Sequence, residues 1–247
     1  MRIDEFGLVV LEQNPEASYP NDGGFHGNRG DSCAETGRLF HLLRFLEREA
    51  PDVRKVYEHL RTAKGFLRHP LCKWREDDQS SDQMKPLYLA VTSWGFHDLK
   101  LDIEHYLQKN KKFGIFWTTG NGDPINASFW ACIKRANNQQ TSFHDLAHYL
   151  QAVAMERLPY RWNDEKKWFE RMEGSSADYL NFLHAIIQAE YAGHTANSLK
   201  ALKLVSPVKL LRKIMDYYRP EPNCSWVIDL YSSAISKLYT KADLTLP

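Results

Sequence analysis

The feature that most constrains the fold of this chain is the helical spacing of its apolar residues, which dominates from about residue 30 onward. Apolar residues that recur three and four positions apart line one face of a helix, and that face packs against a core. These stripes predict about ten helices of two to four turns, mostly joined by short links. The stripes are Leu39, Leu42, Leu43 and Leu46; Val53, Val56, Tyr57 and Leu60; Met84, Leu87, Tyr88 and Val91; Leu99, Ile103, Tyr106 and Leu107; Leu146, Leu150 and Val153; Leu180, Leu183 and Ile187; Val208, Leu211 and Met215; and Val227, Leu230, Ala234 and Leu238. Because helices with short connections pack as antiparallel hairpins, we predict an all-α protein built from such hairpins.

Two short segments depart from the helical spacing. Residues 6–12 and residues 113–117 are interpreted as short β segments. A stretch rich in proline, glycine and asparagine follows the first of them, between Asn14 and Arg29. The segments 76–81, 137–140 and 173–176 are too short to link two separate cores. We therefore predict a single helical domain over residues 1–247, in which residues 1–30 form an N-terminal strand and loop region.

The composition is that of a globular chain with balanced charge. With 247 residues, 43% of them hydrophobic and 26% charged, the chain can bury a large core, and disordered or collagen-like classes are excluded. Lys and Arg total 32 against 31 Asp and Glu, so the net charge is +1. That balance gives no reason to expect nucleic acid or an anionic membrane as the main partner. The 7 Trp, 12 Tyr and 12 Phe supply either a core or a pocket lining.

Several targeting and cofactor signals are missing from the sequence. The N-terminus has no basic segment followed by an apolar stretch, so we expect no signal peptide. The apolar runs are too short to span a bilayer, so we expect no membrane insertion. Four separated cysteines without a CxxC pair favour reduced thiols in a protein made in the cytoplasm. The chain has no P-loop, dinucleotide-binding or nucleophile-elbow motif, so we expect no cofactor.

The first cluster of polar residues lies at a predicted helix start, between Gly30 and Arg38. Ser32 and Glu35 have the spacing of a capping box, which predicts that Ser32 caps the helix. Asp31 then needs another role, and its carboxylate would lie at the positive end of the helix, where its charge is stabilised. We predict that Asp31 contacts the ligand, and that Glu35 either caps the helix or binds substrate.

The second cluster spans residues 68–83. Ser80 and Gln83 again have capping-box spacing, which predicts a helix start at this point. The preceding loop is long and mixes aromatic with charged side chains, and such loops are more often functional than short links. A solvated acidic loop is the alternative interpretation. The candidate site residues of this cluster are His69, Trp74, Arg75, Asp77, Asp78, Asp82 and Gln83.

Two later segments carry smaller signals. His144 and His148 are four residues apart, so their imidazoles project from one helical face. The pair echoes the HExxH motif, with Asp145 in place of the glutamate, but spacing fixes no third ligand. We therefore predict no metal site and keep the two histidines as candidate ligands only. Trp117 precedes a turn at residues 118–123 and is a further candidate for a ligand-facing ring.

The motifs of the two polar clusters resemble those of a known group of proteins. Gly30-Asp31-Ser32, then Arg68-His69-Pro70, then Ser80-Ser81-Asp82-Gln83 resemble a group of largely uncharacterised, mostly phage-encoded proteins. Members commonly carry an arginine between the serine and the aspartate of the last motif, where this chain has Ser81. The layout is also similar to (α/α)-toroid enzymes that act on polysaccharides. The resemblance covers roughly residues 1–95 and implies a toroid of helical hairpins with a central pocket.

A polysaccharide or glycan is the ligand class that these residue types favour. Sugar sites combine aromatic platforms for ring faces with carboxylates for hydroxyl groups or proton transfer. The candidate catalytic residues are Asp31 and Asp82 for a hydrolase and His69 as the base of a lyase. The candidate substrate-binding residues are Glu35, Trp74, Arg75, Asp77, Asp78, Gln83 and Trp117, with Trp94 as a further platform.

Two other functional hypotheses stay open. One is a non-enzymatic phage structural or accessory protein, whose partners are virion proteins and which is incorporated into the virion. The other is a metal-dependent hydrolase that uses His144 and His148. Whether the chain is an enzyme is not decided by its sequence.

Overall fold

The computed structural model describes residues 1–11, 31–49, 51–72, 79, 81–110, 133, 137, 176–191, 202–203, 205–219 and 221–245, and for a few helical residues only the backbone. Seven helices and two short strands lie in these ranges, so the described chain is mostly helical, as the apolar spacing predicts. The arrangement of the hairpins as a toroid stays a prediction, and the β segment predicted at 113–117 lies outside the described residues. The elements are β1 (Arg2–Ile3), β2 (Val9–Val10), α1 (Ser32–Phe45), α2 (Val53–Leu60), α3 (Ser81–Ser93), α4 (His97–Lys109), α5 (Ser176–Tyr191), α6 (Pro207–Tyr218) and α7 (Ser225–Thr245).

One compact unit comprises Met1–Ile125 and Pro220–Cys224. Its core forms where α1 packs against α3. The stripe predicted for α3 is buried, whereas in the stripe predicted for α1 only Leu39 and Leu42 are buried and Leu43 and Leu46 are half-buried. Segment 221–224 joins this unit through Glu221, whose Oε2 lies 3.4 Å from the amino nitrogen of Met1. The main buried side chains at the contact of α1 with α3 are Leu39, Phe40, Leu42, Leu87, Tyr88 and Val91.

The predicted strand at residues 6–12 is shorter in the structure and belongs to a hairpin. β1 and β2 pair antiparallel, with Ile3 opposite Val9. Glu5 and Phe6 form the turn, which the bond from the Gly7 nitrogen to the Asp4 carbonyl closes at 3.0 Å. The Asp4 carboxylate supports it by accepting hydrogen bonds from the backbone nitrogens of Phe6 and Leu8, both at 3.0 Å. Gly7 has a φ of +77°, a left-handed conformation that favours glycine. The sequence therefore located the strand but not its partner β1.

The first turn of α1 holds the outer edge of β2. The Val9 nitrogen donates to Thr36 Oγ1 at 2.9 Å, and Ser32 Oγ donates to the Val9 carbonyl. Ser32, Thr36 and Val9 are all fully buried. Because buried backbone groups require partners, these two hydroxyls supply what a third strand would otherwise supply.

Helices α2 and α4 are joined by a carboxylate–guanidinium pair. Asp102 accepts from Arg61 Nε and a terminal Arg61 nitrogen at 2.5 and 2.8 Å, and from the Tyr57 hydroxyl at 2.6 Å. Burial acts to raise the pKa of Asp102, but the bonds from Arg61 and Tyr57 outweigh it and hold the pKa below its usual value. Burial and the bond to Asp102 raise the pKa of the Tyr57 hydroxyl far above its usual range.

The second compact unit comprises Asn126–Arg219 and Ser225–Pro247, and its described helices are α5, α6 and α7. Its core contains a buried polar network, in which His184 Nε2 lies 2.9 Å from the Tyr231 hydroxyl. The Tyr218 and Tyr231 rings stack with centroids 5.8 Å apart. Each unit has its own buried core, and the prediction of one domain over residues 1–247 stays a prediction. Among the described residues, no helix has the length and apolar character that crossing a bilayer requires.

Candidate functional site

The candidate site is the junction where the first turns of α1 and α3 meet. Gln83 Nε2 donates to Asp31 Oδ1 at 2.7 Å, and Gln83 Oε1 accepts from the Ala34 nitrogen at 3.3 Å. Asp31 is half-buried, and Gln83 is only 6% exposed. One side-chain amide therefore connects the Gly30-Asp31-Ser32 motif to the Asp82-Gln83 motif.

A second contact fixes the same junction. The buried Cys33 thiol donates to the Gln83 carbonyl at 3.1 Å. Burial raises the pKa of this thiol to about 12, although the nearby charge of Arg68 opposes the shift. The thiol is therefore uncharged at neutral pH and serves as a small hydrogen-bond donor within the core.

The electrostatics of the junction favour a negative charge on Asp31. Asp31 is the N-cap residue of α1, and its carbonyl accepts the first helical bond from the Glu35 nitrogen at 3.0 Å. Its side chain makes no capping bond to α1 and is turned toward Gln83. The N-terminal ends of helices carry partial positive charge, which stabilises a carboxylate placed beside them.

The predicted capping box at Ser32 and Glu35 is wrong. Ser32 is the first residue of α1, and its hydroxyl bonds to the Val9 carbonyl. The Glu35 side chain is 1% exposed and pairs with the Arg38 guanidinium within the same helix. The Ser32 hydroxyl satisfies a buried carbonyl at the edge of β2 and is therefore not available to cap α1. Glu35 lies inside the unit, where its place as a substrate-binding residue stays a prediction.

Gln83 lies in the first turn of α3, as its spacing from Ser80 predicts, but its amide does not turn back on its own helix. Both polar atoms of the amide bond to residues at the start of α1. The cap spacing therefore located the helix start correctly and missed the long-range partner of the side chain.

His69 is completely buried and bonded at both ring nitrogens. Its Nδ1 accepts from the Leu71 nitrogen at 3.0 Å, and its Nε2 lies 2.5 Å from Asp4 Oδ2. Because Nδ1 accepts, the proton of the neutral ring is on Nε2 and is donated to Asp4. The ring of Phe6 packs edge-on against His69 at 5.6 Å. This placement suits a residue that ties the N-terminal hairpin to residues 61–72 rather than a base that meets a ligand.

The described residues on either side of segment 73–78 are held by hydrogen bonds. The Cys72 nitrogen donates to the His69 carbonyl at 3.0 Å, and Gln79 Oε1 accepts from the Leu67 nitrogen. Gln79 is fully buried and therefore fixes the point at which the chain enters α3.

Candidates that lie outside the described residues are Trp74, Arg75, Asp77, Asp78, Trp117, His144 and His148. For Asp82 the structure describes the helical backbone in the first turn of α3 but not the side chain.

Trp94 is not an open platform. Its indole Nε1 donates to the Phe40 carbonyl at 2.9 Å, and the Arg44 guanidinium lies 5.5 Å from its ring centroid. The ring therefore forms part of the contact of α3 with α1.

Two residues that position the site were not identified from the sequence. Asp4 holds both the hairpin turn and His69, and Gln79 holds the entry to α3. The Asp4-x-x-Gly7 spacing is a turn signal that could have indicated Asp4. Nothing near Asp4 in the sequence indicates His69, which lies 65 positions away.

The described residues contain no group of three His, Cys, Asp or Glu side chains that could hold a metal ion. Comparisons of the chain with protein-family models, with curated proteins and with solved structures found no match.

Proposed function

We propose that this protein binds a polysaccharide or glycan at the junction of α1 and α3, with Asp31 as the central ligand contact. One observation carries the proposal: the amide of Gln83, in the first turn of α3, bonds to two residues at the start of α1. These are the half-buried Asp31 carboxylate and the Ala34 nitrogen. Two motifs about fifty residues apart thereby contribute to one polar site at the surface of the unit.

The chemistry of this junction supports a hydroxylated ligand. A sugar hydroxyl donates hydrogen bonds, and the half-buried Asp31 carboxylate is an acceptor for them. The amide of Gln83 is buried and held through both of its polar atoms, so the orientation of the Asp31 carboxylate is fixed before a ligand arrives.

The residue types of segment 73–78 also support this ligand class. Residues 73–78 lie between two anchored positions, Cys72 and Gln79, a few residues before Gln83. Trp74 would supply a platform for a sugar ring, and Asp77 and Asp78 would supply further carboxylates.

Hydrolysis is the stronger form of the proposal, with Asp31 and Asp82 as the two carboxylates that flank the glycosidic bond. A lyase with His69 as its base is not proposed, because both nitrogens of that buried ring are already engaged. The toroid arrangement and the resemblance to phage-encoded proteins are consistent with a polysaccharide-binding role and belong to this proposal.

The test is a panel of soluble polysaccharides, scored separately for binding and for release of reducing ends. We expect the wild-type chain to bind at least one of them, and Asp31→Asn and Gln83→Leu to weaken that binding about tenfold or more. Asp98→Asn is the matched control, because Asp98 is an exposed carboxylate on α4.

Each outcome decides between the functional hypotheses. Binding with product release supports hydrolysis, and binding without it supports a non-enzymatic glycan-binding protein, including an accessory protein of a virion. Absence of binding to every polysaccharide would overturn the proposal, and binding that survives both site variants would overturn the assigned site. Activity that a chelator abolishes would instead favour the metal-dependent hydrolase.

A further inference from the structure

The outward side of α6 combines exposed apolar side chains with basic ones. The inward side of this helix buries Leu210, Ile214 and Tyr218 in the second unit. The prediction that Val208, Leu211 and Met215 form its core-facing stripe is therefore wrong, because these three lie on the opposite side. Val208 and Met215 are 65% and 45% exposed. They are seven residues apart, which is about two helical turns, so they lie on one side of the helix.

The apolar residues of this side form a ridge. Leu211 lies between Val208 and Met215 in the helical pattern and is half-buried, whereas the two outer side chains project further into solvent. We call Val208, Leu211, Arg212 and Met215 the α6 face. Arg212 is exposed and is four residues after Val208 and three before Met215, so it lies beside the ridge.

Positive charge is concentrated along the same helix. Between Pro207 and Arg219 there are four basic residues and one acidic residue, a net charge of +3 in a chain whose total is +1. The acidic residue, Asp216, pairs with Arg219 at 2.6 Å, so the positive charge is that of Lys209, Arg212 and Lys213. The ammonium groups of Lys209 and Lys213 lie 5.9 and 5.7 Å from the Tyr179 ring centroid, on the flank of α6. The balanced charge of the whole chain therefore conceals a local basic surface.

We propose that the α6 face docks onto an anionic lipid surface, with the helix lying in the plane of the interface. Val208 and Met215 would enter the boundary between headgroups and acyl chains, and Arg212, which lies beside them, would contact lipid phosphates. A ridge suits a deformable lipid interface, whereas recognition of a helical peptide uses an apolar groove. Three apolar side chains give weak, reversible binding, so the basic residues contribute a large part of the attraction.

The test is co-sedimentation of the full chain with two kinds of vesicle. One is phosphatidylcholine containing about 30% phosphatidylserine, and the other is pure phosphatidylcholine. We expect binding to the anionic vesicles only, and a loss of binding as the salt concentration rises from about 0.1 to 0.5 M. Arg212→Gln should lower the partition coefficient about fivefold. The double variant Val208→Ser with Met215→Ser should lower it roughly tenfold or more.

Two substitutions elsewhere are matched controls. Arg48→Gln removes an exposed arginine, and Leu101→Ser removes a leucine that is 56% exposed, and both should leave binding unchanged. Equal binding to both kinds of vesicle, no binding to either, or equal losses in the controls would each overturn the proposal. Binding of an acidic amphipathic peptide without binding of vesicles would also overturn it, by assigning the face to a protein partner.

Discussion

Gly37 of α1 lies directly against the backbone of Leu87 in α3. A Cβ at position 37 would stand 2.4 Å from the Leu87 nitrogen and 2.5 Å from the carbonyl carbon of Pro86. The two helices pack so closely that no side chain fits between them at this point. Pro86 lies inside α3 and has no N–H to donate within the helix.

Gly37→Ala should lower the free energy of unfolding by about 3 kcal/mol, because backbone atoms of α3 must move to admit the methyl group. Urea titration measures the change. Gly95→Ala is the control, since Gly95 has a φ of +78° and open space around it. That variant should lose only about 1 kcal/mol, from left-handed strain. Equal losses in the two variants would contradict the close contact of α1 with α3.

Asp102→Asn should destabilise the first unit by roughly 1–2 kcal/mol, because the bidentate bond from Arg61 and the bond from the buried Tyr57 hydroxyl are both weakened. Asp98 offers a matched comparison on the same helix, as it pairs with Arg54 of α2 in solvent. We expect no measurable change for Asp98→Asn. Urea midpoints of the two variants at pH 7 decide the prediction, and a larger loss at Asp98 would refute it.

The same carboxylate predicts how stability depends on acid. The folded pKa of Asp102 is lower than the unfolded value of 3.8, so the folded state binds its proton only at lower pH. The stabilisation that the ionised Asp102 carboxylate gives to the folded state is present above pH 3.8 and is lost as the pH falls through the folded pKa. In Asp102→Asn, the decline of the urea midpoint between about pH 5 and 2 should be shallower than in the wild type.

Cys33 should resist alkylation in the folded protein. Its thiol is buried, with a pKa raised to about 12, and the thiolate is the reactive form. Iodoacetamide at pH 8 should modify the half-exposed Cys224 under native conditions and Cys33 only in urea. Mass spectrometry of the peptides that contain Cys33 and Cys224 measures the extent of modification. Rapid labelling of Cys33 under native conditions would contradict the prediction and show that the junction of α1 and α3 opens.

Alkaline pH gives an independent measurement of the same thiol. Its pKa is about 12 in the folded state, against an ordinary value of 9.0, so the folded state retains the proton over that interval. The stabilisation is complete below pH 9.0 and is lost as the pH rises toward 12, with a slope approaching about 1.4 kcal/mol per pH unit. Cys33→Ala should remove this component, and an unchanged alkaline slope in the variant would contradict the assignment.

A double-mutant cycle should separate a structural His69 from a catalytic one. His69→Ala and Asp4→Ala should each cost about 3 kcal/mol, and the double variant should cost less than their sum by at least about 1 kcal/mol. Glycan binding per folded molecule should be the same in the wild type and in His69→Ala. A loss of binding in a fully folded His69→Ala variant would restore the interpretation of His69 as a ligand contact.

The helices could be predicted from the sequence because each one depends on a local pattern. The stripe of Leu99, Ile103 and Leu107 is buried in α4, and the stripe of Val53, Val56 and Leu60 is buried in α2. A period of 3.6 residues places such residues on one face whatever lies elsewhere in the chain.

The roles of the polar residues could not be predicted in the same way. The partner of the Ser32 hydroxyl is Val9, 23 residues away, and the partner of the Gln83 amide is Asp31, 52 residues away. Capping-box spacing predicts only a local hydrogen bond between a side chain and the end of its own helix. It does not account for partners that are distant in the sequence. The sequence indicates that both motifs lie near helix starts, but that the two starts meet is set by the contact of α1 with α3.

The bonds from Ser32 and Thr36 to Val9 have a consequence for association between chains. A strand edge with unpaired N–H and carbonyl groups is a template on which another chain can add a strand. At Val9 both groups are occupied by hydroxyls of α1, and Leu8, Val9, Val10 and Leu11 are all buried. The most apolar stretch of the N-terminal segment is thus closed to strand addition by a helix, and opening it would require α1 to move away from β2.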